Sequence, residues 1–396
     1  MRLGSANLFD RALQNLYTRQ TDLSSQQEKL TSGKNVNRAS DDPTGVAQAE
    51  RALTRITRIA SDQRALDLQR NAVSLAESNL GDATGLVQKI RELVVSAGNG
   101  GYTAANRSSI AQQITGLRDQ LLALANSTDT NGIPLFGGLG SASAPFTDTA
   151  SGVVFNGIAG QQAAGTDSVP SAMDGQAVWM NVATGNGTFN TSLGVANTGT
   201  AWTETGQVVT PGLVTGDNYS ITFSVTAGVT TYNVVNTTSG ATVATAQPYK
   251  DGQAITFDGL AITARGAPAQ GDTLSITPST TTNLFKVIDD AITGIGSSTS
   301  NNKVSQAVTL ALAEIDTGML HLQAARSQAG EWLNRADNIQ NAQEGRSVQL
   351  AADKSRAEEL DMVKGISDFT RLQTGYQAAL QSYAQVQKLS LFNYIN

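Results

Sequence analysis

A mainly α chain with an inserted β domain is the architecture this sequence predicts, on three observations. Apolar residues recur every seven positions near both ends, longer runs of the same period lie inside them, and the middle alternates in a Gly-, Ser- and Thr-rich background. The expected arrangement is a long antiparallel helical bundle or coiled coil built from N- and C-terminal segments, with an antiparallel β domain from the middle of the chain. Residues 1–42 and 355–396 are expected to form a terminal coiled-coil domain, 43–140 and 283–354 a helical rod domain, and 141–282 a β-rich outer domain.

The first helix is predicted from Phe9, Leu16, Leu23 and Leu30, seven apart, with Leu13, Gln20 and Gln27 on the alternate seam. That narrow stripe suits a partner helix better than a globular core. An isolated helix of this length is marginal in water, so the segment is expected to stay poorly ordered until its stripe is covered. The other end of the chain supplies a candidate cover in Phe369, Leu372, Tyr376, Ala379, Tyr383 and Val386, with Leu380 assigned to the same seam. The two termini are therefore expected to meet.

Thr31 to Ser40 is polar and irregular, a joint between elements. Ser40-Asp41-Asp42-Pro43 reads as a helix start, with an Asp at or near the N-cap and Pro43 at the first helical position, where its missing N–H costs nothing. Ile59, Leu66, Val73, Leu80, Val87 and Val94 then carry a helix to Gly98, about 80 Å at 1.5 Å per residue. Gly98-Asn99-Gly100-Gly101 should end it through positive backbone φ angles. A phosphate-binding loop is not a better reading, because no strand precedes these glycines and no Gly-Lys-Ser/Thr follows.

Ile110, Ile114, Leu117, Leu121 and Leu124 mark a second helix folding back on the first. After the turn-forming Asn126 to Gly132, a short extended piece leaves the helices. Tyr219 to Val225 and Thr231 to Val235 alternate around Ala227-Gly228 as a hairpin, and Ala254 to Ile262 and Thr273 to Ile276 add strands. Gly137 to Gly216 is too weakly patterned for strands to be counted. Helix returns with Leu284, Val287, Ile288, Ile292 and Ile295, and a long helix follows with Val308, Ile315, Leu322, Ala329 and Ala336 seven apart.

Composition narrows the function classes. The chain has 396 residues, a net charge of -6 and no stand-out Lys/Arg cluster, which argues against a nucleic-acid or anionic-membrane binder. There is no cysteine, hence no disulfide framework or thiolate metal site. Asn7, Asp10, Arg11 and Gln14 interrupt the N-terminal region, so no cleavable secretory signal is expected, and no span approaches the roughly 20 apolar residues of a membrane helix. An exported chain of this kind needs a route that reads something other than a classical leader.

The one histidine, His321, has no second His or Cys with which to build a zinc site, and reads as a helix-face residue. No Gly-x-Ser-x-Gly elbow accompanies it. Asp41-Asp42 and Asp289-Asp290 are explained more simply by capping and a solvated helix face than by a catalytic pair, which needs a cleft. No catalytic, cofactor or metal residue is assigned, and the chain is not expected to be an enzyme.

Leu30-Thr31-Ser32-Gly33-Lys34-Asn35-Val36-Asn37-Arg38-Ala39-Ser40-Asp41-Asp42-Pro43-Thr44-Gly45-Val46-Ala47-Gln48-Ala49 resembles the N-terminal motif of bacterial flagellins and their hook-associated relatives. Arg326-Ser327-Gln328-Ala329-Gly330-Glu331-Trp332-Leu333-Asn334-Arg335 resembles the matching C-terminal motif. Pro43, the run Leu124 to Asp129, Asn131-Gly132, Phe136-Gly137-Gly138 and the ending Leu389 to Ile395 look most like the members at the hook-filament junction. Asp258-Gly259 and Gly266 to Thr273 also resemble a β segment of hook-associated proteins. Pro134 departs from the relatives, and Ala142 to Gly216 matches nothing placed.

The resemblance implies a subunit exported unfolded through the flagellar type III route, with a dedicated chaperone on the C-terminal helix. It implies an extracellular adaptor ring in the flagellum, self-assembled through the terminal domain acting in polymerisation, with the first hook-associated junction protein below and flagellin above. Two alternatives are a filament-forming flagellin, distinguished by its abundance, and a glycan-binding surface adhesin, distinguished by glycan binding to the isolated insert.

Overall fold

The computed structural model describes residues 5–141, 143–298 and 300–392, without the side chains of residues 5–9, 386 and 388–392. The chain packs as two compact units, Met1–Arg64 with Ile339–Asn396, and Ala65–Asn338. The expected boundaries differ from these: 42/43 coincides with a helix start, while 354/355 lies inside a helix that continues to Glu358.

In the terminal unit, α1 (Ser5–Ser32) runs antiparallel to α6 (Met362–Phe392), with Gln26 Nε2 donating to the Gly365 carbonyl at 3.1 Å. The unit also holds the start of α2 (Pro43–Ala97) and the end of α5 (Asn301–Glu358).

The larger unit is built on the rest of α2 and α5, with α3 (Ala104–Ala125) and α4 (Leu284–Gly296). Leu66, Val73, Leu80, Val87 and Val94 of α2 are at most 2% exposed, so the seven-residue period marks the inward face. Ile315, Leu322, Ala329 and Ala336 do the same on α5. The ion pairs Arg70–Asp337, Glu77–Arg326 and Arg91–Asp316 hold these two helices antiparallel. Thr103 caps α3 by accepting from Asn106 N, and Asn283 caps α4 by accepting from Lys286 N at 2.7 Å.

The helix ending at Ala97 corrects one expectation. None of Gly98, Gly100 and Gly101 adopts a positive φ. Asn99 closes the turn instead, its Oδ1 accepting from Gly101 N at 2.9 Å. A Cβ at Gly98 would meet Val308 Cγ1 of α5 at 3.4 Å, an ordinary contact distance.

The β domain holds two larger antiparallel sheets. The first has the order β4 (Phe189–Leu193), β12 (Thr273–Pro278), β7 (Tyr219–Thr226), β8 (Val229–Asn236) and β9 (Thr242–Pro248). The second contains β10 (Ala254–Phe257), β11 (Leu260–Arg265), β5 (Trp202–Thr203) and β6 (Gln207–Val208). Ile221, Phe223, Leu274 and Ile276 of the first share one core with Ile255 and Ile262 of the second. Residues 254–262, expected as strand, turn over at Asp258-Gly259, where both φ angles are positive as in Ala227-Gly228, the geometry two-residue hairpins favour.

Two short pairs complete the strands. β1 (Phe146–Thr149) pairs with β2 (Gly152–Phe155), and β3 (Val182–Ala183) with β13 (Thr281–Thr282). Trp179, in a π-helical turn, stacks on Phe285 of α4 at 5.8 Å and meets Phe136 edge-on at 5.6 Å. Gln306 of α5 is buried against the β domain, its Oε1 accepting from Thr203 N at 2.7 Å.

Asp289 is not on a solvated helix face. With Asp148 of β1 it grips the Arg118 guanidinium, whose side chain is only 7% exposed; Nε donates to Asp289 Oδ1 at 3.1 Å.

Candidate subunit-interaction site

The terminal helices carry the residues singled out by sequence. Leu13, Leu16, Leu23 and Leu30 of α1 are half-buried, as are Phe369, Leu372, Tyr376 and Tyr383 of α6. Gln20 and Gln27 are exposed. Leu380 is 42% exposed and lies outside the covered strip. The side chains of Phe9 and Val386 fall outside the described residues.

Burial stops halfway because two helices cover only one stripe of each other. Tyr17, Val363 and Ile366 remain 63%, 81% and 54% exposed. Val363 and Ile366 lie one turn apart at the start of α6, and Tyr17 lies further along the pair on α1.

The helix-start motif divides its labour. Asp42 is the cap of α2, its Oδ1 accepting from Thr44 N at 2.9 Å and Gly45 N at 3.0 Å, and Pro43 takes the first helical position. Asp41 instead braces the joint before the helix, its Oδ2 accepting from Asn37 N and Arg38 N. Gly45 is buried, and a Cβ there would stand 3.1 Å from the Ala357 carbonyl oxygen of α5.

Sequence reasoning missed a second joint, between α5 and α6. Asp361 caps α6 by accepting from Val363 N at 3.0 Å and Lys364 N at 3.2 Å. The two joints pair as a short antiparallel bridge between Lys34 and Glu359. Asn35 N donates to the Glu358 carbonyl at 2.8 Å, Leu360 N donates to the Gly33 carbonyl, and Lys34 is ion-paired with Glu358. The Asp after Leu360 was the available signal, an N-cap residue ahead of an apolar run.

His321 Nδ1 lies 3.3 Å from the Ala177 carbonyl oxygen on an exposed surface. Among the described residues no group of three or more His, Asp and Glu could hold a metal ion, and no helix is long and apolar enough to cross a membrane.

An antiparallel pair made from both chain ends, followed inward by long helices that bracket a β domain, defines a structural subunit of the flagellin class. The bacterial flagellin N-terminal helical region matches residues 7–141, and the bacterial flagellin C-terminal helical region matches residues 312–395. A solved structure of FlgL from Xanthomonas campestris is 30% identical, with a TM-score of 0.69 over 78% of this chain and 99% of that one. Flagellar hook associated protein-3 from Legionella pneumophila is 28% identical, with a TM-score of 0.71 over 78% of this chain and 98% of that one. Flagellar hook-associated protein 3 of Salmonella typhimurium is 34% identical over 174 residues, 43% of this chain and 53% of the relative. The chain belongs to the flagellar hook-associated protein 3 family, within the flagellins.

Proposed function

We propose that this flagellar structural protein forms the adaptor ring at the hook-filament junction. It self-assembles through α1 and α6 and joins the hook-side first junction protein to flagellin. The supporting observation is the half-covered terminal pair, with Tyr17, Val363 and Ile366 still facing out. Closing those faces against neighbouring copies contributes about 25 cal/mol per Å² of apolar surface removed from water.

The same feature suits export. Terminal helices that depend on partners stay loose in the free chain, pass the flagellar type III channel unfolded, and order on assembly outside the cell. A chaperone covering the α6 stripe keeps the chain soluble beforehand.

The test is negative-stain imaging of a deletion strain. Intact hooks without filaments, with flagellin released to the medium, support the adaptor role; normal filaments overturn it. Filament flagellin is the second reading, because the matching N- and C-terminal regions are those of flagellins. Sheared flagella separate the two: an adaptor is scarce there, and a filament subunit dominates.

A further inference from the structure

Charge is divided unequally along this acidic chain. Residues 1–64 and 339–396 hold 16 Lys and Arg against 13 Asp and Glu, whereas residues 65–338 hold 11 against 20. The positive excess has a focus on α2, where Arg51, Arg55 and Arg58 follow one another at spacings of four and three. Such spacing sets three side chains on one helix face.

All three are exposed, and none has an ion-pair partner among the described residues. Arg51 and Arg55 border a groove of about 350 Å³ whose other wall is Leu350, Asp353 and Arg356 of α5. Asp353 is already ion-paired with Arg356, so the groove keeps a positive surplus.

The larger unit carries the opposite patch. Asp119, Asp148 and Asp289 surround Arg118, and Asp290 follows, paired with Lys286. Four carboxylates face two cations. Asp119 and Asp290 are 65% and 60% exposed, so their charge is presented to solvent.

We infer that the Arg51/Arg55/Arg58 face receives the Asp119/Asp290 surface of a second copy of this chain, a head-to-tail contact between neighbours. The inference rests on the self-assembly reading and adds the surface that fixes the register between copies. Different patches on the two partners make a heterologous contact, which propagates around a ring or along a helix instead of closing as a two-fold dimer. Complementary charge of this kind steers encounter and selects register more than it adds affinity. A chain that is acidic overall and has three unpaired arginines on one face fits an acidic protein surface better than nucleic acid, where a larger basic footprint is needed.

The experiment uses full chains expressed in a deletion strain, read by immunoblot of sheared flagella and of the culture medium. Arg51→Glu/Arg55→Glu and, separately, Asp119→Lys/Asp290→Lys should each be exported into the medium but incorporated on the order of tenfold less than wild type. Co-expression of the two variants, or both pairs of changes in one chain, should restore incorporation, because each reversed face then meets a reversed partner. Circular dichroism of the purified variants checks that they are folded. Incorporation of either variant at the wild-type level, or no rescue by the combination, overturns the contact while leaving self-assembly standing. Absence of the wild-type chain from flagella overturns the self-assembly reading itself.

Discussion

Leu360 donates its backbone N–H to the Gly33 carbonyl at 3.0 Å, so the break between α1 and α2 and the break between α5 and α6 sit side by side. A chain crossing twice at one place needs both crossings held in the same register. Asp42 and Asp361 each cap the helix that leaves the crossing, and Lys34 with Glu358 ties one strand to the other.

Removal of the Asp42 cap is therefore expected to loosen the start of α2. Asp42→Ala leaves the N–H groups of Thr44 and Gly45 without their acceptor, a loss of about 1 kcal/mol for a cap of this type. Gly45→Ala should cost more than its helix propensity returns, because its Cβ would press on Asp42 Oδ2 at 2.6 Å and on the Ala357 carbonyl. Thermal melts followed by circular dichroism check both, and a Gly45→Ala protein as stable as wild type contradicts the close packing.

Acid should weaken the larger unit through Asp148. The hydrogen bond from Arg118 holds the Asp148 carboxyl below its ordinary value of 3.8, despite partial burial. The folded-state value is depressed, so the stabilisation is fully present above the unfolded value and disappears as pH falls through the folded one. The melting temperature should drop below about pH 4, and Asp148→Asn should make that drop shallower. An unchanged acid limb in the variant would remove Asp148 from the explanation.

Glu314 should act with the opposite sign. Desolvation raises its carboxyl above the ordinary value, against the donated Gly185 N–H at 2.8 Å. The folded chain binds the proton more tightly than the unfolded one, so this group favours folding at low pH and the benefit fades as pH rises from its unfolded value through its folded one. Glu314→Gln keeps a carbonyl oxygen for Gly185 and removes the charge. Its melting temperature should exceed wild type near pH 7 and converge with it below about pH 4, as read by calorimetry.

The elements most legible in the sequence are those whose local pattern and tertiary surroundings agree. The period through Leu66, Val73, Leu80, Val87 and Val94 marked the buried face of α2, and Ala227-Gly228 marked a hairpin because only turn chemistry fits two positive φ angles there. Residues 143–216 lack such a period: their strands are short, and several of their partners come from much later in the chain, Phe285 for Phe146 and Trp179, β12 for β4 and β11 for β5 and β6. The Arg118 cluster was hidden for the same reason, since Asp148 and Asp289 lie far from it in sequence. At the terminal seam, Phe369, Leu372, Tyr376 and Tyr383 are half-buried, but Leu380, four after Tyr376 and three before Tyr383, is 42% exposed, so spacing alone does not separate covered from outward positions. The second joint escaped notice because apolar helical patterns continue on both sides of it.

Limited proteolysis of the soluble chain should trim both ends and leave a core beginning near Ser40. The joint from Gly33 to Ser40 is exposed apart from Gly33, Val36 and Asn37, and the helices α1 and α6 are only half covered by one another. Exposed backbone that unfolds locally is cut first. Termini that resist cleavage as long as the β domain does would contradict their dependence on neighbours.

Tyr383 and Leu380 separate the covered strip from the outward face of α6. Tyr383 is half-buried on the α1 side, and Leu380 is 42% exposed. A carboxylate at Tyr383 would have to be desolvated within the α1–α6 pair, so Tyr383→Asp should lower the helicity of the terminal pair as well as incorporation into flagella. At Leu380 a carboxylate stays in water while the chain is alone and loses it only when a neighbour docks. Leu380→Asp should therefore preserve monomer helicity and still reduce incorporation. Circular dichroism of purified monomers and immunoblots of sheared flagella read the two effects separately. Wild-type incorporation of the Leu380 variant would show that this side of α6 faces solvent in the assembled flagellum too, and the docking face would then have to lie around Val363 and Ile366.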